Sequence, residues 1–403
     1  MNPKRPSRRV VSADAPFTPS GCTKIIFHMV LLIGNYPADQ QQSMQRFASM
    51  MLRGLTNAGI AAELIQPQPL LGKIRFAGDF VAKWLGYIDK FVFFPAKLRA
   101  RLSPAIHLVH ICDHSNAMYG AHCQSLPVVA SCHDLLAVRG ARGESTDAPA
   151  SRTGKYLQRW ILSGLRRSTV VACASRATLR DAERLIEQTD GRPELLLIHH
   201  GINHPYKRQP PTVARAHLTR VAGLDLARTF LLHVGSNLRM KNREGVLRIF
   251  ALTKNEWDGQ LVFAGQKLTA ELRSLGEQLG VLSRVVEVED PPNELLEALY
   301  SSAFALLYPS RFEGFGWPIL EAQACGCPVL CADREPMSEV GGEAALTHDL
   351  DDEAAFARSI IRLTNAEEWR ERSEKSLENA QRFTAEEMIA KYIALYRSLG
   401  AVA

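Results

Sequence analysis

Two glutamates, Glu313 and Glu321, are separated by seven residues, among them Gly314, Phe315, Gly316 and Pro318. Proline suits the first positions of a helix. Glu313 is therefore expected on a glycine loop and Glu321 in the first turns of the next helix. Carboxylates accept hydrogen bonds from paired sugar hydroxyls, and free amides at a helix start bind phosphate. One loop thus offers acceptors for hydroxyls beside donors for phosphate, which is the chemistry of a nucleotide sugar. A capping carboxylate beside a surface glutamate would not explain why both glycines, the proline and both acids coincide. A second stretch, Leu231 to Asn242, reads as a strand, a turn at Gly235, and two cations, Arg239 and Lys241, opening a helix. Such cations can neutralise a diphosphate leaving group as its charge develops. Alone, this stretch is equally well read as a solvated basic loop.

The elements that must hold these residues repeat in order. Short apolar runs at 25–33, 106–112, 127–132, 169–172 and 195–199 read as strands, with helices at 44–57 and from Ser175, a good N-cap, to about Gln188. A basic, proline-containing stretch, 204–211, follows, and the alternation restarts with strands at 230–234, 260–263, 285–288, 304–308 and 328–331. Strand–helix alternation implies parallel sheets covered on both faces. The expected fold is α/β, with two Rossmann-like doubly wound domains facing across a cleft. The expected division is a basic tail 1–20, a first domain 21–204, a hinge 205–213, a second domain 214–383, and a terminal helix 384–403 able to pack back on the first domain. Ligands of such sheets bind outside the carboxyl ends of the strands.

Composition narrows the class only partly. The chain has 403 residues, 46% hydrophobic and 22% charged, with a formal charge of +6. A length of this order suits two ordinary cores. The basic balance admits nucleotide diphosphates, anionic lipids and nucleic acid alike. Eight scattered cysteines and no apolar N-terminal leader fit buried thiols in a reducing cytoplasm. Cys325, Cys327 and Cys331 lack the spacing and fourth ligand of a zinc site. No run approaches the ~20 apolar residues of a membrane span. No G-x-G-x-x-G follows the first strand, which argues against a dinucleotide oxidoreductase. Asp349-Leu-Asp351 precedes an amphipathic helix and reads as capping rather than as a metal pair. His110, His114, His199 and His200 read as ordinary strand-end histidines.

The acidic segment resembles the Glu-x7-Glu signature of the retaining glycosyltransferases of family 4 (glycosyl transferases group 1), which have the GT-B fold. The resemblance covers most of the C-terminal half, through Gly235, Arg239, Lys241-Asn242, Val262-Phe-Ala-Gly265, Tyr308 to Gly316, Glu321 to Val329, and Ser338 to Ala345. In the first half, His133-Asp134 looks like the family's acceptor-side His-Asp, and His200-Gly-Ile-Asn203 resembles its Asn-Gly-Ile-Asp. Three departures stand out. Met240 separates Arg239 from Lys241, Asn35 to Ser43 replaces a glycine pair, and Trp317 stands where leucine is common.

The resemblance implies transfer of a hexose, mannose or glucose by family prevalence, from a nucleotide-diphosphate sugar to a saccharide or lipid-linked saccharide in bacterial surface polysaccharide assembly. It assigns Glu313 and His133 to catalysis. It assigns Gly235, Arg239, Lys241, Gly265, Gln266, Gly314, Phe315, Gly316, Ile319, Leu320 and Glu321 to the donor, with Glu321 on the ribose, and Asp134 to the acceptor side. It implies no metal, no cofactor and no nucleic acid, and a cytoplasmic enzyme. A nucleotide-sugar epimerase and a non-catalytic nucleotide-sugar binder are the alternatives. Between residues 73 and 101, seven Lys or Arg accompany Phe76, Phe80, Trp84, Tyr87 and Phe91 at helical spacing. This pattern suits either peripheral contact with an anionic bilayer or packing into the first domain.

Overall fold

A computed structural model of the chain describes residues 28–39, 41–72, 84–186 and 193–402. Its strands are short and, in the sheet centres, buried throughout, as parallel strands covered on both faces must be. The first sheet contains β1 (Met29–Ile33), β2 (Ala61–Ile65), β3 (Ile106–Ile111), β4 (Val128–Cys132), β5 (Val170–Cys173) and β6 (Glu194–Leu197), in the order β2-β1-β3-β4-β5-β6. The second contains β7 (Phe230–Gly235), β8 (Gln260–Gly265), β9 (Val285–Glu289), β10 (Ala305–Tyr308), β11 (Val329–Ala332) and β12 (Leu346–His348), in the order β12-β11-β10-β7-β8-β9. All pairings are parallel. The fold is the expected α/β pair of doubly wound sheets.

Strand order reverses between β1 and β3 in one sheet and between β7 and β10 in the other. These switch points open crevices at the carboxyl ends. The residues just beyond them are Asn35 and Asp113 on one side, and the segments reaching Lys241 and Glu313 on the other.

Two strands escaped the pattern in the sequence, β2 and β12. Both are edge strands paired on one side only, and they need not be wholly apolar. Ser175 does cap its helix, accepting from the Thr178 amide at 3.2 Å. That helix spans Arg176–Leu185 and stops short of Gln188 because Ile186 is extended. The expected apolar residues 25–27 and the aromatics Phe76 and Phe80 lie outside the described residues. Asp352 caps the helix Glu353–Arg362, whereas Asp349 only closes a turn on the Asp351 amide.

The last helix, Ala385–Ser398, packs on the first sheet's side, against the helix Gln42–Asn57. A buried polar chain fixes it there. The Tyr392 hydroxyl meets Ser131 Oγ at 2.8 Å, Ser131 Oγ meets His110 Nε2 at 2.8 Å, and His110 Nδ1 meets the Tyr396 hydroxyl at 2.5 Å. His110 is thus a core histidine with both nitrogens satisfied. The seven described cysteines are free and buried.

Candidate active site

The second-half wall is built from backbone outward. Strand β7 ends at Gly235 and its neighbour β8 at Gly265, opposite each other in register. Gly265 has φ +122°, and a Cβ there would lie 2.4 Å from the Gly235 carbonyl oxygen. Only glycine permits this crossing. Beneath it sits a cation absent from the sequence assignments, Arg243. Its guanidinium donates to the carbonyls of Gly235 and Gln266 and to Asn237 Oδ1 at 2.5–2.7 Å. Burial brings its pKa down to about 10, so it remains charged at neutral pH. Arg243 holds the glycine turns in place. Gln266 closes the same loop by accepting from the Asn237 amide.

A turn at Arg239–Lys241 follows, ended by Asn242 in the left-handed region at φ 52°. The turn sends its two cations different ways. Lys241 Nζ donates to both oxygens of Glu313 at 2.7 and 2.9 Å and to the Tyr308 hydroxyl at 3.0 Å. Tyr308 itself donates to Glu313 at 2.6 Å. Burial, and then Glu313, hold the Tyr308 phenol well above its ordinary pKa, so it serves as a proton donor. Arg239, 79% exposed, instead pairs with Asp147 of the first half at 3.2 Å. Lys241 alone of the pair reaches the acidic group. Side chains two apart on a tight turn diverge.

Glu321 lies on the helix Trp317–Ala324 and is buried. Tyr300 donates to one oxygen at 2.8 Å and Asn203, from the first-half segment, to the other at 3.1 Å. Burial raises its pKa, opposed by these two hydrogen bonds and by the charges of Arg46 and Lys241. Lys241 therefore acts electrically on both glutamates. Ile319 and Leu320 are fully buried core residues, and the Ile319 amide already donates to Gly316.

The glycine loop makes the junction between the halves. A Cβ on Gly314 would lie 2.4 Å from the His133 carbonyl oxygen, so backbone meets backbone across the crevice. Ser175 Oγ donates to the Gly314 carbonyl at 2.9 Å, and Thr178 Oγ1 donates to that of His133 at 3.1 Å. A cavity of about 590 Å³ flanks the junction beside Arg239, Arg311 and Asp147. Another, of about 370 Å³, lies between Arg46, Asn203, His204 and Asn293.

His133 is buried with both ring nitrogens engaged. Nε2 is 2.8 Å from the Cys112 carbonyl, so it must carry the proton and donate. Nδ1 then accepts from His200 Nε2 at 2.7 Å. Burial lowers the pKa of His133, against the pull of Asp113, and lowers that of His200 much further. The buried Nδ1 of His200 has no hydrogen-bond partner among the described residues. Its ring stacks on Trp317 at 4.8 Å and 13°, and the Trp317 indole donates to the Gly201 carbonyl at 3.1 Å. Trp317, one of the departures from the family pattern, thus touches His200. His200 is no ordinary strand-end histidine, and Trp317 is no idle replacement. Asp134 accepts from the Leu136 amide at 3.0 Å and opens the next helix. Asn35 and Asp113, bonded to each other at 2.5 Å, complete this wall. They went unassigned because each is a single polar residue after an apolar strand, and only the switch point gives that position meaning.

Residues 216–382 match the family model for glycosyl transferases group 1. The chain is 32% identical over 178 residues to the O-antigen chain mannosyltransferase B of Escherichia coli, a match spanning 42% of this chain and 46% of that one. It is 30% identical over 306 residues to D-inositol 3-phosphate glycosyltransferase 1 of Catenulispora acidiphila, covering 69% and 68% of the two chains. The Anabaena protein HepE, solved with UDP and glucose, superposes with a TM-score of 0.68 at 17% identity over 92% of this chain and all of that one. The fold likeness extends over both sheets, and the sequence likeness joins them in one continuous match. The chain spans about half to two thirds of the length of most of the curated relatives it matches, and it belongs to the glycosyl transferases group 1 family.

Proposed function

We propose that the chain is a retaining hexosyltransferase of family 4, moving mannose or glucose from a nucleotide-diphosphate sugar to a saccharide or lipid-linked saccharide in surface polysaccharide assembly. The observation that carries the proposal is the Lys241 ammonium bonded to Glu313 within electrical reach of Glu321, beside the glycine loop. The mannosyl relative and the UDP- and glucose-bound neighbour support the sugar and donor classes.

In this reading Glu321 accepts the ribose hydroxyls, and the arriving diphosphate draws Lys241 away from Glu313. The freed carboxylate accepts hydroxyls of the donor sugar and stabilises positive charge at its anomeric carbon. The acceptor oxygen attacks that carbon on the face from which the phosphate departs. The carbon–oxygen bond to phosphate breaks, and the phosphate oxygen takes the acceptor's proton. Products are the glycoside and a nucleoside diphosphate. Lys241 supplies the charge that a metal supplies in other transferases, so transfer proceeds in chelator. His133 offers the sugar a hydrogen bond when its link to His200 opens.

The test is transfer from UDP-, GDP- and ADP-hexoses to saccharide acceptors, with the anomeric configuration of the product read by NMR. Retention with one of these donors is expected. Inversion, or donor isomerisation without an acceptor, contradicts the reading.

A further inference from the structure

Two helices of the first half share an outer face that no chemistry of the crevice uses. One runs from Trp84 through a wider turn at Asp89–Phe93 into Phe94–Arg101. The other is Arg152–Arg167, which buries Ile161, Leu162, Gly164 and Leu165. A Cβ on Gly164 would meet the Ala117 backbone at 2.4 Å, so its inner side is pressed against the domain. The outer sides are joined by rings. Trp84 meets Tyr87 at 5.6 Å, Tyr87 meets Phe91 at 5.7 Å, and Phe91 meets Trp160 on the other helix at 5.2 Å. Around this ladder Trp84, Ile88, Val92, Phe93, Tyr156 and Trp160 are all exposed, Tyr156 by 71%.

The charge on this face has one sign. Lys97, Arg152, Lys155, Arg159 and Arg167 are exposed, and none has a carboxylate partner among the described residues. Residues 84–101 and 152–167 contain a single acid, Asp89. It is buried, accepting from Tyr36 and from the amides of Leu70, Leu71 and Gly72. Large apolar side chains exposed together mark an interaction surface. Aromatic rings interleaved with cations that lack carboxylate partners, with Asp39 on Lys90 an exposed acid at the margin, match an anionic lipid–water interface, where rings sit at headgroup depth and cations meet phosphates. A nucleic-acid groove would need cations and stacking rings but not Ile88 and Val92.

We propose that this two-helix face seats the enzyme on an anionic phospholipid bilayer, with Tyr156 and Trp160 entering the interface and Lys155, Arg159 and Arg167 engaging lipid phosphates. Residues 152–167 lie outside the basic aromatic segment recognised in the sequence and supply half of the surface. Arg152–Arg167 packs on the helix Leu136–Ala141, which directly follows His133 and Asp134. A protein seated this way holds its acceptor-side wall one helix away from the lipid.

The full chain is floated with vesicles of phosphatidylglycerol and phosphatidylethanolamine, and with phosphatidylcholine alone. Binding to the anionic vesicles only, weakened by salt, is expected. Lys155→Glu with Arg159→Glu lowers the bound fraction at least about tenfold, since each cation near an anionic surface adds a sizeable increment. Tyr156→Ala with Trp160→Ala also lowers it, while Lys155→Arg with Arg159→Lys keeps it. Circular dichroism confirms folding, and thermal shift by the preferred nucleotide sugar stays as in the wild type, which separates this test from that of the transferase reading. Partition unchanged by the charge reversals, equal binding to phosphatidylcholine, or binding to an oligonucleotide but not to vesicles overturns the proposal.

Discussion

The two walls of the crevice hold their polar groups in different electrical states. On the second-half wall a carboxylate, an ammonium and a phenol bond one another around Glu313. On the first-half wall two imidazoles, kept neutral by burial, form a chain of two hydrogen bonds in which His200 donates to His133 and His133 donates to the Cys112 carbonyl. A mobile cation–carboxylate pair can be separated by a diphosphate and responds to charge. A neutral, directional chain is indifferent to charge but fixes which nitrogen carries a proton. The difference assigns charge compensation to one wall and orientation to the other.

The comparison breaks most visibly at Lys241. Lys241→Met is expected to lower kcat by roughly a hundred- to a thousandfold, the usual effect of removing one stabiliser of developing charge. The chain should remain folded, measured by circular dichroism beside the transfer assay. A change confined to KM would place Lys241 in ground-state binding only.

Glu321 tests the same wall through stability. Its folded pKa is raised above 4.5, so its contribution is greatest below that pH and is lost as pH rises through the raised value. Each unit of that rise corresponds to about 1.4 kcal/mol. Glu321→Gln should therefore raise Tm of the ligand-free protein at pH 7 to 8, with the gain fading near pH 4. It should also weaken the thermal shift given by nucleotide sugar. A variant less stable at every pH would mean that the buried charge is structurally required.

The other wall has the opposite sign. Burial lowers the pKa of His110, His133 and His200, with His110 at about 3. Their stabilisation is fully present above the ordinary value of 6.5 and is lost as pH falls below it. Each contributes a slope of about 1.4 kcal/mol per pH unit. His110→Gln and His200→Gln should each flatten the decline of Tm between pH 7 and 5. Only His200→Gln should also raise KM for the acceptor, because it frees the His133 ring. Equal KM effects would remove the distinction.

The smallest effect is expected at the seam. Trp317→Leu loses the bond to Gly201 and the stack on His200. A loss of about 1–3 kcal/mol in urea unfolding is expected from one buried hydrogen bond and reduced packing. A gain in stability would contradict the contacts described.

How far the sequence revealed these walls follows from sequence distance. Glu313 and Glu321 were legible because their glycines and proline are neighbours in the chain. Their partners were not. Asn203 reaches Glu321 across 118 positions and Lys241 reaches Glu313 across 72. Lys241 was found only because it opens its own helix. Tyr300, Tyr308 and Arg243 resemble ordinary core or surface residues until the sheet brings them in. The central strands were readable from their unbroken apolar runs. The edge strands β2 and β12 were not, since Glu63 interrupts one and Thr347 and His348 end the other. Trp317 looked like an isolated departure because its partners, His200 and Gly201, are near it only in space.

The most direct measurement is calorimetric titration of the preferred nucleotide sugar into Glu313→Ala, paired with single-turnover transfer. The expected result is donor affinity within about tenfold of the wild type and transfer reduced by about a thousandfold or more, because Glu313 acts where charge develops rather than where the nucleotide is held. Full transfer by Glu313→Ala would contradict the role given to the carboxylate at the centre of the crevice.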